Sequence, residues 1–300
     1  QAAGGSEQVL TKEPMKKHTT FRTGGPADYY VSPTGETELA AVVSLCKREG
    51  MPYYILGNGS NLLVSDSGYP GVMISMTRGF SQITEKDGKI TAGSGALLSR
   101  IAKTALLHSL AGFEFAAGIP GTLGGAVVMN AGAYGGEMKQ VLQSARVLTK
   151  EGEIQELAAE ELELGYRKSG IQKNGYIVLS AVLSLEQGEP SEIKAKMDDF
   201  AARRREKQPL EYPSAGSTFK RPEGYFAGRL IEDAGLKGLT VGGAQVSEKH
   251  SGFVINRNGA SSADVFELCR QVQKKVKEQF GVELEMEVKR LGEFSDPEQQ

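Results

Sequence analysis

The chain has no tryptophan, two cysteines and three histidines, and it lacks charge of one sign: 35 lysines and arginines stand against 37 aspartates and glutamates, a formal net charge of −2. A near-neutral balance spread along the chain excludes a general nucleic-acid binder, which would carry a strong basic excess. It leaves room for a local basic pocket around a small anion. No apolar run approaches the ~20 residues needed to span a bilayer, so no membrane partner is expected. Cys46 and Cys269 each fall on the apolar stripe of a predicted helix, which reads as two buried free thiols in a reducing compartment. His18, His108 and His250 have no zinc-ligand spacing among themselves or with the cysteines, and no metal is expected. The opening QAAGGSEQVL has neither the basic nor the apolar region of a signal peptide and no initiator Met. It reads as a trimmed or appended end of a cytoplasmic protein.

What the chain has in quantity is glycine, 38 residues in 300, within a composition that is 39% hydrophobic and able to bury a proper core. Apolar residues at helical spacing predict helices over 37–49 (Leu39, Val42, Val43, Cys46), 97–110 (Leu98, Ile101, Ala102, Ala105, Leu106), 227–235 and 262–280. A further helix from Ser191 carries Ile193, Met197, Phe200 and Arg204 on one face and stops before Pro209 and Pro213. Short apolar runs predict strands at 53–56, 72–76, 89–95, 145–150 and 176–186, with a terminal strand through VELEMEVKRLG. Helices and strands do not alternate regularly enough for one parallel sheet, so the fold class is α+β. The expected division is an N-terminal extension (1–16), two lobes (17–76 and 77–190), and a helical linker with a third lobe (191–300).

Two glycine segments carry the chemistry. Gly57, Asn58, Gly59, Ser60 and Asn61 follow a strand directly, where successive backbone N–H groups can form an anion-binding nest. The motif is neither a dinucleotide fingerprint, which wants a third glycine where Leu62 stands, nor a P-loop, whose Gly-Lys-Ser/Thr is absent. An ordinary strand-to-loop turn is the competing reading. GSGALL at 93–98 has a weaker version of the pattern. The second segment, GIPGTLGGAVVMNAGAYGGE (118–137), has seven glycines in twenty residues but is too apolar for a linker. Glycine belongs where φ must be positive or a backbone must approach something closely. One nest and one long apolar loop suit a ligand with a diphosphate and a flat ring, such as a flavin dinucleotide, with Ile119 and its neighbours supplying apolar contact. An unusual structural loop is the alternative.

The ordered series FRTGGPADYYV (21–31), GNGSNLLV, GIPGTLGGAVVMNAGAYGGE, GYRKS (165–169), AGSTFKRP (215–222), AGLKG, GGAQVSEKHSGFVIN (242–256) and LEMEV (284–288) resembles the UDP-N-acetylenolpyruvoylglucosamine reductase (MurB) family. The match runs from about Lys17 to Gly292. The absence of a sizeable insertion between GYRKS and AGSTF resembles the shorter, type II branch. The resemblance implies an FAD-binding part of the vanillyl-alcohol-oxidase/PCMH type in two α+β lobes, followed by a C-terminal α+β substrate-binding lobe. It implies that NADPH reduces FAD and that the enolpyruvyl ether of UDP-N-acetylglucosamine is then reduced to UDP-N-acetylmuramate, a peptidoglycan precursor. With no separate dinucleotide motif visible, NADPH is expected to use the substrate cleft in turn, in a monomer.

The same resemblance places residues. Thr122, Gly125, Ala131, Gly132 and Val178 join the nest and Ile119 as expected FAD contacts, with Arg204 and Lys289 as further candidates. Arg167 matches the arginine that polarises the substrate carboxylate, a task suited to a planar, permanently charged fork. Ser217 matches the proton donor. A serine is a weak acid, and its plausibility rests on the very basic carbon that hydride addition creates. Glu287 matches the third residue; by alternation Glu283, Glu285 and Glu287 share one strand face, and only the register of LEMEV selects among them. Met286 stands where the family usually has proline. An ionised glutamate beside a carboxylate substrate is repulsive, so Glu287 is expected to be protonated or tied to Arg167. Lys207 and Arg221 suit the substrate's diphosphate or carboxylate, although some relatives carry asparagine at the position of Arg221. Outside the resemblance each has an ordinary reading: Arg167 as a surface arginine at a turn, Ser217 as a loop residue or cap, the glutamates as a solvated strand face, and the 203–205 arginines as a solvated helix face. An oxidase on the same flavin scaffold and a non-catalytic flavin- or nucleotide-binding protein are the rival functions. AGSTFKRP and GGAQVSEKH speak against the first, and the joint presence of Arg167, Ser217 and Glu287 against the second.

Overall fold

The computed structural model describes residues 9–294, so the sequence reading of the first eight residues lies outside the described residues. The chain divides into two compact units: one of residues up to 10, 30–58 and 72–204, the other of 11–29, 59–71 and 205 onward. Mixed helix and strand in both units make the fold α+β, as the sequence implied.

In the first unit a five-stranded antiparallel sheet has the order Ile154–Ala158, Leu142–Leu148, Ile177–Ser184, Lys89–Gly93, Ile83–Lys86. Alternation places Ile90 and Ala92 of one strand and Ala181 and Leu183 of its neighbour in the core. Helix α2 (Leu98–Leu107) buries Leu98, Ile101, Ala102 and Ala105 into the same cluster, four of the five positions its 3.6-residue period predicts, while Leu106 stays half-buried. Burying each such Leu or Ile contributes roughly 1.5–3 kcal/mol. Helix α1 (Glu36–Arg48) buries Leu39, Val42, Val43 and Cys46 against Val72, Ile74, Leu148, Ile177 and Leu179. Tyr53–Leu56 runs parallel to residues 72–75.

The glycine segment that reads as a long loop is more regular than that. It holds a short helix, α3 (Leu123–Met129), and a hairpin of Gly132–Ala133 with Gly136–Glu137. Leu123, Ala126 and Val127 are buried at helical spacing, which the glycines beside them obscure in the sequence. The hairpin turns on Tyr134 and Gly135, both at positive φ (53° and 85°), as a two-residue turn of the primed kind requires. A one-and-a-half-turn helix, α4 (Gly170–Asn174), precedes the strand at 177, and α5 (Pro190–Lys207) buries Ile193 and packs Met197 and Phe200 against the core, all on its predicted face.

In the second unit, α6 (Ala227–Asp233) and α7 (Ser262–Phe280) enclose a core with an antiparallel meander of Thr240–Val241, Ala244–Val246 and Val254–Asn256. Helix α7 buries Val265, Leu268, Cys269, Val272 and Val276. Its start is fixed three times over. Ser261 Oγ accepts from Asp264 N at 3.0 Å, Asp264 accepts from Ser261 N at 3.0 Å, and Asp66 accepts from Ser262 N and Ala263 N at 2.9 and 2.8 Å. Leu62–Val64 pairs in parallel with Lys289–Leu291.

The terminal segment corrects the sequence reading. Only Lys289–Leu291 is a ladder strand; residues 282–288 lie outside any ladder and pair through a single antiparallel bridge, Phe219 to Met286. Leu284 and Val288 are buried, Glu283 and Glu285 are exposed, and Glu287 is half-buried. The apolar positions face the core as alternation requires, but the pairing that defines a strand needs a neighbour that the local sequence cannot supply.

Both cysteines are free and buried, as expected; burial in apolar surroundings pushes the Cys269 thiol up to about 12. Among the described residues no helix is long and apolar enough to cross a membrane, and no group of three His, Cys, Asp or Glu side chains is placed to hold a metal ion.

Candidate functional site

Within the first unit the two glycine segments meet. The Asn58 side-chain amide donates to the Pro120 carbonyl at 2.8 Å, sixty-two residues away. A Cβ added to Gly57 would lie 2.3 Å from Thr122 Oγ1, so only glycine fits opposite this buried threonine. Ile119 and Ala131 are half-buried against the core, Gly125 is exposed with only Thr122 Oγ1, at 3.9 Å, near where a Cβ would be, and Gly132 sits in the hairpin. Val178 is 4% exposed and belongs to the hydrophobic core. Gly118 faces the half-buried Arg204, whose guanidinium nitrogen would be 3.3 Å from a Cβ there; burial pulls the pKa of Arg204 below its ordinary value.

These residues fit a dinucleotide with a diphosphate. The Ser94 hydroxyl, 2% exposed, has no hydrogen-bond partner, and its Cβ lies 2.8 Å from where a Gly124 side chain would start. A buried donor without an acceptor costs about 1–3 kcal/mol, which a phosphate or ribose oxygen would recover. Sequence reading gave GSGALL little weight and did not single out Ser94; a serine between two glycines after a strand was the available signal. A separate cavity of about 440 Å³ is lined by Glu114, Phe115, Tyr134, Gly135, Gly136, Lys196 and Phe200 among others, and none of the expected FAD contacts lines it.

Arg167 also belongs to the first unit. Gly165 and Lys168 exchange backbone hydrogen bonds at 3.0 and 3.2 Å around a tight turn whose two central residues are Tyr166 and Arg167. Arg167 is half-buried, has φ of 56°, and its guanidinium carbon lies 5.1 Å from the Tyr166 ring centroid. Left-handed backbone is uncommon for arginine, and such residues cluster at functional sites.

Within the second unit, segments far apart in sequence gather around Glu287. Gly59, at φ of 61°, leaves only 1.9 Å between an added Cβ and the His18 carbonyl oxygen, so glycine is required on two counts. Asn61 donates to the Glu287 carbonyl, and the Lys289 N–H donates to the Asn61 carbonyl at 3.0 Å. Glu287 N donates to the Thr218 carbonyl at 2.8 Å, beside the Lys220 to Glu285 backbone bond at 2.8 Å. This pairing sets Thr218 opposite Glu287, with Ser217 the residue before it in the chain. Ala215 and Phe219 are buried, and Thr218, fully buried, accepts from Val254 N at 2.9 Å through its hydroxyl; Ser217 is left exposed after Gly216 at φ of 76°. Ser60 is partly buried, and the Lys289 side chain is exposed. Glu285 is held by Lys220 in an ion pair.

Arg221 packs over Phe226, 3.9 Å from the ring centroid, and its Nε donates to the Tyr225 carbonyl at 3.3 Å; both aromatic rings are exposed. Lys207 is exposed at the end of α5.

Residues 208–291 match the model of the UDP-N-acetylenolpyruvoylglucosamine reductase C-terminal domain, and residues 27–158 match an FAD-binding domain. The chain is 56% identical to UDP-N-acetylenolpyruvoylglucosamine reductase of Clostridium perfringens (strain SM101 / Type A) over 286 residues, covering 95% of this chain and 94% of that protein. It is 56% identical to the reductase of the same name from Clostridioides difficile (strain 630), over 96% of this chain and 94% of that one. The crystal structure of UDP-N-acetylenolpyruvylglucosamine reductase (MurB) from Thermus caldophilus superposes with a TM-score of 0.82 at 38% identity, covering 95% of this chain and 99% of that one.

Proposed function

Because the chain belongs to the UDP-N-acetylenolpyruvoylglucosamine reductase family, we propose that it reduces UDP-N-acetylglucosamine enolpyruvate to UDP-N-acetylmuramate for peptidoglycan synthesis, with FAD as cofactor and NADPH as reductant. The observation that carries this reading is the meeting of the two glycine segments, Gly57 against Thr122 and Asn58 on Pro120. FAD, when bound, would supply hydride transfer between NADPH and carbon-3 of the enolpyruvyl group. Gly57, Asn58, Thr122 and Ser94 would hold its diphosphate, and Ile119, Gly125, Ala131 and Gly132 would contact the rest of it.

The remaining work falls to side chains of the protein. Negative charge arriving at carbon-2 spreads into the substrate carboxylate, and Arg167 binds both its oxygens. The Ser217 hydroxyl delivers a proton to carbon-2, so hydride at carbon-3 and proton at carbon-2 complete the saturated ether. Glu287, half-buried beside the Ser217 segment, stabilises the charged species together with Arg167. Lys207 and Arg221 are assigned to the substrate's anionic groups, Arg204 and Lys289 to the cofactor. NADPH and substrate take turns at one cleft of a cytoplasmic monomer, which gives ping-pong kinetics. Anaerobic mixing tests the whole reading: NADPH bleaches the flavin, and the enolpyruvyl sugar nucleotide restores its colour. Flavin that NADPH reduces but the sugar nucleotide leaves reduced would overturn it.

A further inference from the structure

The turn that presents Arg167 is fastened at both ends to the C-terminal end of α3, and we propose that Asn130 is the positioning residue that sets Arg167 for the reaction, an inference that rests on the role of Arg167 proposed above. Asn130 is 1% exposed and sits just past α3 with φ of 42° and ψ of 56°. Its amide group donates to the Gly165 carbonyl at 3.3 Å and to Glu137 Oε2 at 2.8 Å, while its side-chain oxygen accepts from Lys139 N at 2.9 Å. Both polar atoms of the side chain are thereby directed: oxygen to the hairpin's exit, amide to the hairpin carboxylate and to the turn. Gly165 is the first residue of the turn, and its carbonyl also accepts from Lys168 N, so one oxygen both closes the turn and anchors it. Beyond the turn, Ser169 Oγ donates to the Val128 carbonyl at 2.8 Å, two residues before Asn130.

The turn has reason to need such anchors. Arg167 holds a left-handed backbone that costs an arginine free energy, and a turn of this kind stays in place only when its surroundings over-determine it. Asn130 lies in the same continuous segment as Ala131 and Gly132, the expected FAD contacts. The side chain therefore ties the position of the guanidinium to the main chain that runs along the cofactor. A reaction in which hydride arrives at one carbon while charge is gathered on the adjoining carboxylate needs that registry, since a misplacement of about 1 Å costs on the order of 10²-fold.

The test uses full-length holoenzyme with each half-reaction followed by stopped flow. Asn130→Gly removes the side chain while glycine tolerates the left-handed backbone. Its reoxidation by the enolpyruvyl sugar nucleotide is expected to fall about 10- to 100-fold, with flavin content and reduction by NADPH within about twofold of the parent. In an Arg167→Ala background the same change should add less than about twofold, because its effect passes through the guanidinium. Ser169→Ala, which frees the other end of the turn and serves if Asn130→Gly folds poorly, should slow the same half-reaction alone, by about 3- to 10-fold. An unchanged second half-reaction in Asn130→Gly, equal slowing of both halves, or additivity with Arg167→Ala overturns the positioning role while leaving Arg167 as assigned. An Arg167→Ala enzyme whose second half-reaction is intact overturns the role of Arg167 itself, and the positioning inference with it.

Discussion

The side-chain amide of Asn61 donates to the backbone carbonyl of Glu287 across 3.2 Å, although 226 positions separate them in the chain. The first glycine segment and the terminal segment are thereby one local structure, and Glu287 is presented from a backbone held on both edges: by Asn61 on one and by the Thr218 carbonyl on the other. Asn61→Ala removes one partly buried hydrogen bond, worth about 0.5–1.5 kcal/mol net. For a chain of this size that corresponds to a melting temperature lower by roughly 1–5 °C. Differential scanning calorimetry of the variant checks it, and an unchanged transition would mean that the contact contributes nothing in solution.

Gly57 offers a sharper test of the glycine junction. An added methyl meets Thr122 Oγ1 at 2.3 Å but Thr122 Cβ and Cγ2 only at 3.5 Å. Gly57→Ala should overpack the junction by about 1–3 kcal/mol and weaken FAD retention on the order of 10- to 100-fold, read as the ratio of flavin to protein absorbance after gel filtration. Adding Thr122→Ala removes the clashing oxygen, and much of the retention should return. A Gly57→Ala enzyme that keeps its flavin would show that the junction does not shape the cofactor site.

Much of this was legible in the sequence, and the exceptions have physical causes. Helices α2 and α7 were located from the sequence because each buries a single apolar face, so period alone finds them. Gly59 was chosen as part of an anion-binding nest; what requires glycine there is its φ of 61° and the His18 carbonyl beside it, which the local sequence does not show. α3 was missed because Gly124 and Gly125 lower helix propensity, while the burial of Leu123, Ala126 and Val127 that overrides propensity is tertiary. Asn130 was missed for a related reason: after Met129 it reads as a loop polar residue, and its three partners lie at positions 137, 139 and 165. Ser217 was found only through resemblance. Nothing in AGSTF distinguishes an exposed hydroxyl from any other, and the pairing of residues 218–220 with 285–287 that fixes its segment is long-range.

Ser217→Ala separates chemistry from scaffold. The hydroxyl is exposed, and the hydrogen bonds that hold its segment come from Thr218 and the backbone, so the substitution should leave folding intact. Reduction of the flavin by NADPH should persist, and reoxidation by the enolpyruvyl sugar nucleotide should fall by ~10²–10⁴-fold, the range for a lost positioned acid. Equal slowing of both half-reactions would make Ser217 structural. Cysteine at 217, a stronger acid on a longer bond, should recover part of the lost rate if proton delivery is the role.

Asp264 gives the second unit a measurable dependence on pH. Burial alone would raise its pKa, but donation from Ser261 N and Gly243 N, with the Ser261 hydroxyl, outweighs that and holds the carboxyl below its ordinary 3.8. A carboxyl with a depressed folded-state pKa stabilises the fold fully above its unfolded value and loses that contribution as pH falls through the folded one. Asp264→Ala should therefore cost about 0.5–2 kcal/mol near neutrality, as for other helix caps, and the gap to the parent should narrow as pH drops below about 4. Urea titrations of both proteins at pH 7 and at successively lower pH measure the gap. A difference that stays constant to pH 3 would mean that the cap acts through shape alone, without the charge that the N–H groups of Gly243 and Ser261 are placed to receive.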